Sequence, residues 1–546
     1  MKARFAAVIT GAGLLALCGS LMAQQTPPSP GAVQSTLPTK PAKPKPKPAP
    51  AVQTPSSPQP GVSPGGPAVL VQQFQITGNT VFDDATLQAL LKSWIGKRHT
   101  LLQLYGAADK VTEYYRRHGY GLAYASLPAQ TLTNGTVRLQ VVEGRLGNIA
   151  IQGNDRTSNA TLIKRVSNLD TGDVYTTAAM ERAVLLLSDL PGMHASAVLS
   201  PGQQFGTSDV LFKVRETPYN GDVSIDDYGR SVIGRWRVNA DVNVNSVTGH
   251  GDELSAGITH SSSNLLNFGK LAYNVPLGAP GGTLNIAWNR AVFRLGGLFG
   301  GSDISGSTQN GSLNYMYAQE RTRQASFYWG IGGAHNTTIE HSPTSVLAHT
   351  SINLLQFTTY YTRSYPDYSY YTLAGNLWTN GKRYDGPDIN TTSERLRVQL
   401  DASYVQPFAD LWRFIVSGSG AYSPDPLVDP DKFSLGGPSN VRGFPPAEVR
   451  GDRGVFASME LQRLFGIGGL PMAVGGFVDS GKVWNLAYGT TSSDKASLTS
   501  VGTELMMGPS SGSWNLRLQL AWAVGGTRPS DGNNGGHVWF TFGTRF

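Results

Sequence analysis

Residues 235–245, Arg-Trp-Arg-Val-Asn-Ala-Asp-Val-Asn-Val-Asn, alternate between apolar and polar side chains. Every second position from Trp236 to Val244 is apolar, and the positions between them carry Arg, Asn and Asp. Successive side chains of a β-strand point to opposite faces, so the pattern predicts a strand with one apolar and one polar face. Residues 395–404 and 516–524 repeat it. From residue 219 to the end of the chain, this alternation replaces helical periodicity.

The apolar faces of these strands could point inward, as in a soluble barrel, or outward, as in a membrane barrel. Runs of about ten residues, aromatic residues near the strand ends and a polar opposite face favour the membrane barrel. About sixteen such runs fit between residues 219 and 546. The sequence therefore predicts a 16-stranded transmembrane barrel over 219–546, wide enough for an aqueous lumen.

The last nine residues form one more alternating run, Val-Trp-Phe-Thr-Phe-Gly-Thr-Arg-Phe. Phe540, Phe542 and the terminal Phe546 share one face of this predicted strand. Such an aromatic strand with a terminal Phe resembles the sorting signal of bacterial outer-membrane barrels. We predict that it closes the barrel and is recognised by the barrel assembly machinery.

The N-terminus carries an export signal. Residues 1–23 have a basic start, an apolar centre and small residues before a cleavage position after Ala23. Cys18 is the single cysteine, and a lipid-attachment signal is disfavoured because bulky Leu17 precedes it. The mature chain then has no disulfide. No later stretch offers about 18 consecutive apolar residues, so we predict no transmembrane helix.

Residues 24–68 are dominated by Pro, and they include the stretch Lys-Pro-Ala-Lys-Pro-Lys-Pro-Lys-Pro at 40–48. We interpret the segment as a disordered, polyproline-like linker that cannot bury a core. The alternating lysines could bind anionic lipid or peptidoglycan, but a solvated spacer is the simpler interpretation.

Residues 69–218 contain a repeat of about 75 residues. Phe74-Gln-Ile-Thr-Gly-Asn79 returns as Ile149-Ala-Ile-Gln-Gly-Asn154, and the segment 137–143 resembles 210–216. Apolar spacing predicts strand, helix, helix, strand, strand in each copy, with the first helix after Asp83 and its apolar stripe running to Ile95. We predict two α+β modules, at 69–144 and 145–218.

A long loop between the eleventh and twelfth predicted strands contains Leu-Gly-Gly-Pro-Ser-Asn-Val-Arg-Gly-Phe at 435–444. The thirteenth strand contains Phe477-Val-Asp-Ser-Gly481, and alternation turns Phe477, Asp479 and Gly481 into the lumen. We predict that the loop, residues 423–454, folds into the barrel and that Arg442 pairs with Asp479. In the alternative, Arg442 is an exposed loop charge and Asp479 an ordinary lumen residue.

Together, the export signal, the two repeats, the 16-stranded barrel and the two short motifs resemble the two-partner secretion transporters, the FhaC/ShlB/HecB-like members of the outer-membrane assembly superfamily. The resemblance covers residues 69–546 and implies that both repeats are POTRA domains in the periplasm. It also implies that Val441, Arg442, Gly443 and Phe444 form a loop tip held against Asp479. Such transporters often begin with a helix that plugs the pore, whereas the Pro content of 24–68 argues against a long helix.

The sequence gives no support for catalysis, a metal site or a cofactor. Gly508-Pro-Ser-Ser-Gly512 matches the sequence pattern G-x-S-x-G of a hydrolase nucleophile. That motif requires a strand followed by a helix, whereas this segment separates two predicted strands, so we interpret it as a turn. The nine His residues lack metal-ligand spacing. The net charge of +7 comes from six Lys and Arg residues before Asp83, and the remaining 38 basic and 37 acidic residues nearly balance. We therefore expect no nucleic-acid partner.

We predict an outer-membrane pore that recognises a large, unfolded partner exoprotein of the haemolysin or adhesin type and passes it to the cell surface. The barrel is expected to be monomeric and surrounded by outer-membrane lipid. One alternative is a factor that inserts other barrels, although such proteins usually carry more than two POTRA repeats. A passive diffusion porin is the other, but it leaves the tandem modules and the Pro-rich linker unexplained.

Overall fold

The computed structural model describes residues 27–37, 52–53, 67–131, 134–385, 395–487, 492–525 and 527–546. The predicted signal peptide and most of the predicted linker lie outside these residues. The α-helices are α1 (Pro30–Ser35), α2 (Asp84–Leu91), α3 (Leu101–Arg117), α4 (Asn159–Arg165) and α5 (Thr177–Ser188). Short 3-10 turns occur at Lys92–Trp94, Ser231–Ile233, Ser262–Asn264, Gly297–Ser302 and Asp429–Asp431. No helix among the described residues has the length and apolar character needed to cross a membrane.

The strands before the barrel are β1 (Val52–Gln53), β2 (Val69–Leu70), β3 (Gln73–Thr77), β4 (Arg98–His99), β5 (Tyr124–Ser126), β6 (Thr136–Val142), β7 (Arg145–Gln152), β8 (Met193–Pro201) and β9 (Thr207–Glu216). The first repeat has the sheet order β3-β6-β5 under α2 and α3, and the second has β1-β8-β9-β7 under α4 and α5. Both copies follow the predicted strand, helix, helix, strand, strand order. The first helix is shorter than predicted: α2 ends at Leu91, and Ile95 is exposed. Asp83 accepts a hydrogen bond from the Thr86 N–H (2.7 Å), as a helix N-cap does.

The two repeats share one hydrogen-bonded corner that explains their common sequence. Glu143 accepts hydrogen bonds from the backbone N–H groups of Thr80 and Val81 and from the Tyr115 hydroxyl. The equivalent Glu216 accepts from three backbone N–H groups at 155–157. Burial acts to raise the pKa of Glu143, but the hydrogen bonds outweigh it and hold the pKa below the ordinary 4.5. In each repeat, the carboxylate fixes the turn that follows the first strand.

The glycine before that turn is required in both copies. Gly78 and Gly153 have φ values of 84° and 93°. A Cβ at either position would lie 2.2 Å from a carbonyl oxygen, that of Val141 or Val214. A residue with a side chain fits neither the left-handed conformation nor the space. This geometry accounts for the recurring Gly-Asn dipeptide.

The second half of the chain is a closed antiparallel barrel of sixteen strands, which confirms the predicted fold class. Its strands are β10 (Tyr219–Asp226), β11 (Arg237–Asn245), β12 (Glu253–Ser261), β13 (Leu266–Pro276), β14 (Gly282–Arg294), β15 (Ser305–Arg321), β16 (Ala325–His341), β17 (Val346–Ser364), β18 (Tyr370–Asp385), β19 (Arg395–Phe408), β20 (Trp412–Tyr422), β23 (Arg453–Ile467), β24 (Leu470–Asn485), β25 (Asp494–Met507), β26 (Trp514–Ala523) and β27 (His537–Arg545). The remaining β21 (Phe433–Leu435) and β22 (Val449–Gly451) pair with each other inside the loop at 423–452. The barrel closes where residues 222–226 of β10 pair with residues 541–545 of β27.

The alternation in sequence sets the two faces of the barrel. Ile258, Leu271, Val474 and Val478 belong to the exposed outward rows, as an apolar outer surface requires. The residues between them face the lumen, where most are polar: Lys270, for example, lies 2.6 Å from an Asp241 carboxylate oxygen. The wall therefore has an apolar exterior and a polar interior.

The second repeat packs against the turns at one end of the barrel. Arg321, at the end of β15, donates two hydrogen bonds to the Asp189 carboxylate, at 2.8 and 3.0 Å. The buried Arg165 guanidinium donates to the Gly282 carbonyl oxygen (2.9 Å). Thr157 and Ser246 share a buried hydroxyl contact of 2.8 Å. We call the end of the barrel at which these contacts lie the repeat end. The loop at 423–452 lies at the opposite end.

The prediction that residues 24–68 are disordered throughout is wrong for residues 27–37. Helix α1 lies inside the barrel, where Val33 packs in a buried cluster with Ile233, Leu266 and Phe293. Pro is compatible with this short helix because Pro30 occupies its first position, where no backbone N–H is needed, and Ser29 caps it. Residues 52–53 also depart from the prediction, since β1 pairs in parallel with β8 of the second repeat.

Candidate functional site

The loop at residues 423–452 leaves the barrel wall after β20 and folds back into the lumen. Its tip turns at Gly436 and Gly437, each with a φ of 104°. The Asn440 side-chain oxygen accepts hydrogen bonds from the Gly436 and Val441 N–H groups, at 2.7 and 2.6 Å. The sequence Gly-Gly-Pro-Ser-Asn thus builds a compact turn that presents residues 441–444 to the wall.

An apolar cluster holds the loop inside the barrel. Its loop members are Phe433, Leu435, Val441 and Phe444, and its wall members include Val483 and Leu498, all of them buried. Phe444 and Val441 are 0 % exposed, which is unusual for loop residues. Burial of apolar surface therefore contributes to the inward position of the loop.

Arg442 and Asp479 are in direct contact. The Arg442 Nε and Nη2 atoms each donate to a separate Asp479 oxygen at 2.9 Å, and the Arg442 backbone N–H donates a third bond at 3.1 Å. Asp479 is 0 % exposed and also accepts from the Ser458 and Ser500 hydroxyls, at 2.7 and 3.3 Å. Such a paired guanidinium–carboxylate contact fixes both the position and the orientation of the tip.

Two further carboxylates surround Arg442. Its Nη1 atom lies 3.1 Å from a Glu460 oxygen and 3.6 Å from a Glu504 oxygen. Glu504 also accepts from Arg517 at 2.8 Å. With Asp479, these groups comprise two cations and three carboxylates, so the formal charge of the cluster is −1. Arg442 is thus the central cation of the cluster, and Asp479 is one of its three acidic neighbours.

The remaining motif residues make this close approach possible. The Arg442 guanidinium carbon lies 3.2 Å from the centre of the Phe477 ring, so the cation rests on an aromatic face. A Cβ on Gly443 would lie 2.7 Å from Ser500 Cβ, and one on Gly481 would lie 2.7 Å from a Leu435 methyl group. Both glycines leave space that the loop or the wall fills.

Trp539 of β27 joins the site from the closing strand. Its indole N–H donates to the Arg442 carbonyl oxygen at 2.7 Å, and its ring stacks on His537. Sequence reasoning missed Trp539, Glu460 and Glu504. Alternation alone turns Trp539 inward, because Val538 and Phe540 flank it on the outer face, but alternation does not identify its partner.

The predicted terminal signal lies on the outer surface. Phe542 and Phe546 are 38 % and 61 % exposed, and Phe546 exchanges two backbone hydrogen bonds with Gly221 at 3.1 Å. The chain terminus therefore lies at the seam between β10 and β27, at the repeat end.

Residues 508–512 form the turn between β25 and β26, away from any strand-to-helix junction. Within the described ranges, no group of His, Cys, Asp and Glu side chains is arranged to hold a metal ion.

Comparison with known proteins identifies relatives of both halves of the chain. The sequence model of the family described as haemolysin secretion/activation protein ShlB/FhaC/HecB matches residues 206–507, and that of the ShlB-type POTRA domain matches residues 69–144. The chain is 27% identical over 415 residues to the heme/hemopexin transporter protein HuxB of Haemophilus influenzae (strain 86-028NP), covering 72% of each chain. It is 23% identical over 408 residues to the outer membrane transporter CdiB of Dickeya dadantii (strain 3937), again covering 72% of each. Its fold is similar to the structure of CdiB from Escherichia coli, with a TM-score of 0.72, 20% identity and coverage of 90% and 93% of the two chains.

Proposed function

The chain belongs to the haemolysin secretion/activation family ShlB/FhaC/HecB, and we propose from this premise that it exports one large partner exoprotein across the bacterial outer membrane in two-partner secretion. The barrel spans the outer membrane, and the POTRA domains lie in the periplasm. The repeat end of the barrel is therefore periplasmic, and the opposite end is extracellular. The relatives HuxB and CdiB are transporters, in agreement with a transport role and not a catalytic one.

The observation that carries the proposal is the anchored inward loop inside a 16-stranded barrel that contacts the second of two POTRA-type repeats. A polar lumen with Asn, Asp, Lys and Arg side chains gives an extended polypeptide groups with which to exchange hydrogen bonds. The barrel alone suits a porin, but docking of the second repeat through Asp189 and Arg321 gives a partner a fixed route from the periplasm to the pore.

We propose that the partner enters as an extended segment that the POTRA-type repeats, at 69–144 and 145–218, bind by strand addition. The free edge of a β-sheet offers unpaired N–H and C=O groups to such a segment. Support comes from β1, which adds to the edge of β8 through the pairs Val52–Ala197 and Gln53–Val198. This edge can therefore receive an extended chain in parallel orientation.

The proposed site consists of the loop tip Val441, Arg442, Gly443 and Phe444 and the wall residues Phe477, Asp479 and Gly481. Their role is to hold the loop in the position that transport requires. Phe540, Phe542 and Phe546 are proposed as the signal that the barrel assembly machinery recognises. The transporter is proposed to act as a monomeric barrel, since its sixteen strands close within one chain.

The test is to delete the gene and compare proteins at the cell surface and in the medium before and after complementation. The proposal predicts that one large exoprotein is lost and that the wild-type gene restores it. Complementation with Asp479→Ala or Arg442→Ala is expected to give an inserted barrel with impaired secretion. Normal secretion by both variants would refute the role of the pair without refuting transport.

Two other outcomes favour the rival functions. Accumulation of many unfolded barrel proteins after deletion indicates a barrel assembly factor. A large, steady conductance of the purified chain in planar bilayers, with no exoprotein missing from the deletion strain, indicates a passive porin.

A further inference from the structure

A groove on the lipid-facing surface lies at the extracellular end of the barrel, across β19, β20, β23, β24 and β25. Its volume is about 950 Å³. Its floor includes Leu400 and Val455, which are 62 % and 50 % exposed on the outer wall. A large apolar concavity of this kind, facing the membrane, offers space for acyl chains. We call it the outer groove.

Basic and aromatic side chains form the rim of the outer groove. Arg453, Trp484 and Lys495 are successive register partners on β23, β24 and β25, so their side chains form one row on the outer face. Tyr422 of the neighbouring strand completes the rim, and the Arg453 guanidinium carbon lies 4.6 Å from the centre of its ring. The row lies at the extracellular ends of these three strands, where membrane barrels carry aromatic and basic residues at the lipid–water interface.

A third cation lies on the same face. Lys482, two residues before Trp484, places its ammonium 5.2 Å from the centre of the Trp484 ring. Asp494 is the single carboxylate among the described residues that line the groove. Arg453 and Lys495 against Asp494 give the groove lining a formal charge of +1, and Lys482 adds a further cation beside it. The excess favours an anionic ligand.

The cations at the rim have unused hydrogen-bonding capacity. Arg453 Nε donates to the Ser423 carbonyl oxygen at 2.9 Å, which holds the side chain in place. Its two terminal nitrogens have no hydrogen-bond or ion-pair partner in the described part of the chain, and neither does the Lys495 ammonium. A fixed guanidinium with two free nitrogens matches the geometry of a phosphate group.

We propose that the outer groove binds a phosphorylated glycolipid of the outer leaflet. The acyl chains lie on the floor at Leu400 and Val455, and the phosphates meet Arg453, Lys482 and Lys495. The sugar rings lie against Tyr422 and Trp484, because flat aromatic faces suit the apolar faces of sugars. A phospholipid headgroup could satisfy the cations but has no sugar to cover the two aromatic rings. This inference goes beyond the transport function and is tested without the partner exoprotein.

The site lies beside both ends of the inward loop. Ser423 begins the loop, and Arg453, which contacts it, follows the loop directly. A glycolipid bound to Arg453 thus contacts the residue that closes the base of the loop. The same lipid that surrounds the barrel then becomes a specific ligand at this position.

The test uses the full-length chain in phosphatidylcholine nanodiscs, titrated with bis-phosphorylated lipid A and analysed by native mass spectrometry. The double variant K482Q/K495Q is expected to weaken lipid A binding at least about tenfold, since each removed charge deletes a charge-assisted contact. Val455→Trp keeps every charge but fills the floor, and it is also expected to weaken binding. Heat-modifiable gel mobility checks that each variant is folded.

Arg463→Gln is the matched control. Arg463 lies on β23, as Arg453 does, but at the periplasmic border. Its guanidinium carbon is 5.7 Å from the centre of the Trp412 ring, so it is also a cation beside an aromatic residue. Its removal is expected to leave lipid A binding unchanged. Equal binding by wild type and K482Q/K495Q, or equal binding of dephosphorylated lipid A, overturns the proposal. Phosphatidylglycerol that binds as tightly as lipid A also overturns it, because the site is then a general anionic surface.

Discussion

The charge cluster around Arg442 predicts an asymmetry between its two central residues. Arg442→Gln removes the central cation and leaves Asp479, Glu460 and Glu504 with Arg517 alone, for a formal charge of −2. Asp479→Asn leaves Arg442 with its contacts to Glu460 and Glu504 and brings the formal charge to zero. Loss of the arginine should therefore destabilise the barrel more than loss of the aspartate, although the two residues form one ion pair.

The structure sets the size of the two effects. Removal of one partner from a buried ion pair costs about 3–5 kcal/mol, and Arg442→Gln is expected in this range because it leaves buried carboxylates uncompensated. Asp479→Asn keeps a carbonyl oxygen as an acceptor and is expected to cost about 1–3 kcal/mol. The double variant should be less destabilised than the sum of the single variants, because its formal charge returns to −1.

The assay is urea-induced unfolding of the purified chain in lipid vesicles, followed by gel mobility. Lys270→Gln and Asp241→Asn are the controls, since this luminal pair is about one third and one quarter exposed. Each control substitution should cost less than about 1 kcal/mol. If Asp479→Asn destabilises the barrel as much as Arg442→Gln, Arg442 is not the central cation of the cluster. If the two effects simply add in the double variant, the two residues are not coupled through the charge of the cluster.

Three further predictions concern other parts of the chain. Glu143→Gln should lower the thermal unfolding midpoint of the first repeat at pH 7. The Glu143 pKa is depressed in the folded state, so its stabilisation is present above about pH 4.5. The unfolding midpoint of the first repeat should fall as the pH drops through the depressed Glu143 pKa. If Glu143→Gln lowers the midpoint equally at pH 7 and in strong acid, the prediction is contradicted. Asp189→Asn should raise hydrogen exchange at the end of α5 about tenfold by breaking the contact with Arg321; unchanged exchange contradicts the docking. Asp429→Asn replaces the carboxylate that accepts from the Gly31 N–H (2.8 Å) with an uncharged, weaker acceptor, and it should increase pore openings in planar bilayers. Unchanged currents in this variant argue against α1 as an obstruction, with Asp410→Asn at a distant turn as the control.

Alternation predicts the barrel well because the membrane and the lumen impose opposite chemistry on successive residues. Each strand shows the alternation within its own residues, so each strand can be predicted separately. The same reasoning turns Phe477 and Asp479 inward while Val474 and Val478 face lipid, and their exposures agree. It also places the loop between the eleventh and twelfth strands.

The contacts of Arg442 are less accessible to sequence reasoning. Glu460 lies on β23 and Glu504 on β25, with β24 between them, and no local pattern shows that they meet one arginine. Trp539 reaches the loop tip because β27 pairs with β26, three strands along the wall from β24. Helix α1 was missed for another reason: its stability comes from the packing of Val33 in the lumen and not from the helix propensity of a Pro-rich segment.

Photo-cross-linking during secretion tests directly whether the partner passes through the lumen of the barrel. A photo-cross-linking amino acid is placed at Asn289, whose amide lies on the polar luminal face of β14, or at its neighbour Trp288, which is 46 % exposed on the outer face. In cells that secrete the partner, illumination should join the exoprotein to position 289 and not to position 288. Absence of the exoprotein at both positions during active secretion, or equal cross-linking at both, would contradict passage through the lumen.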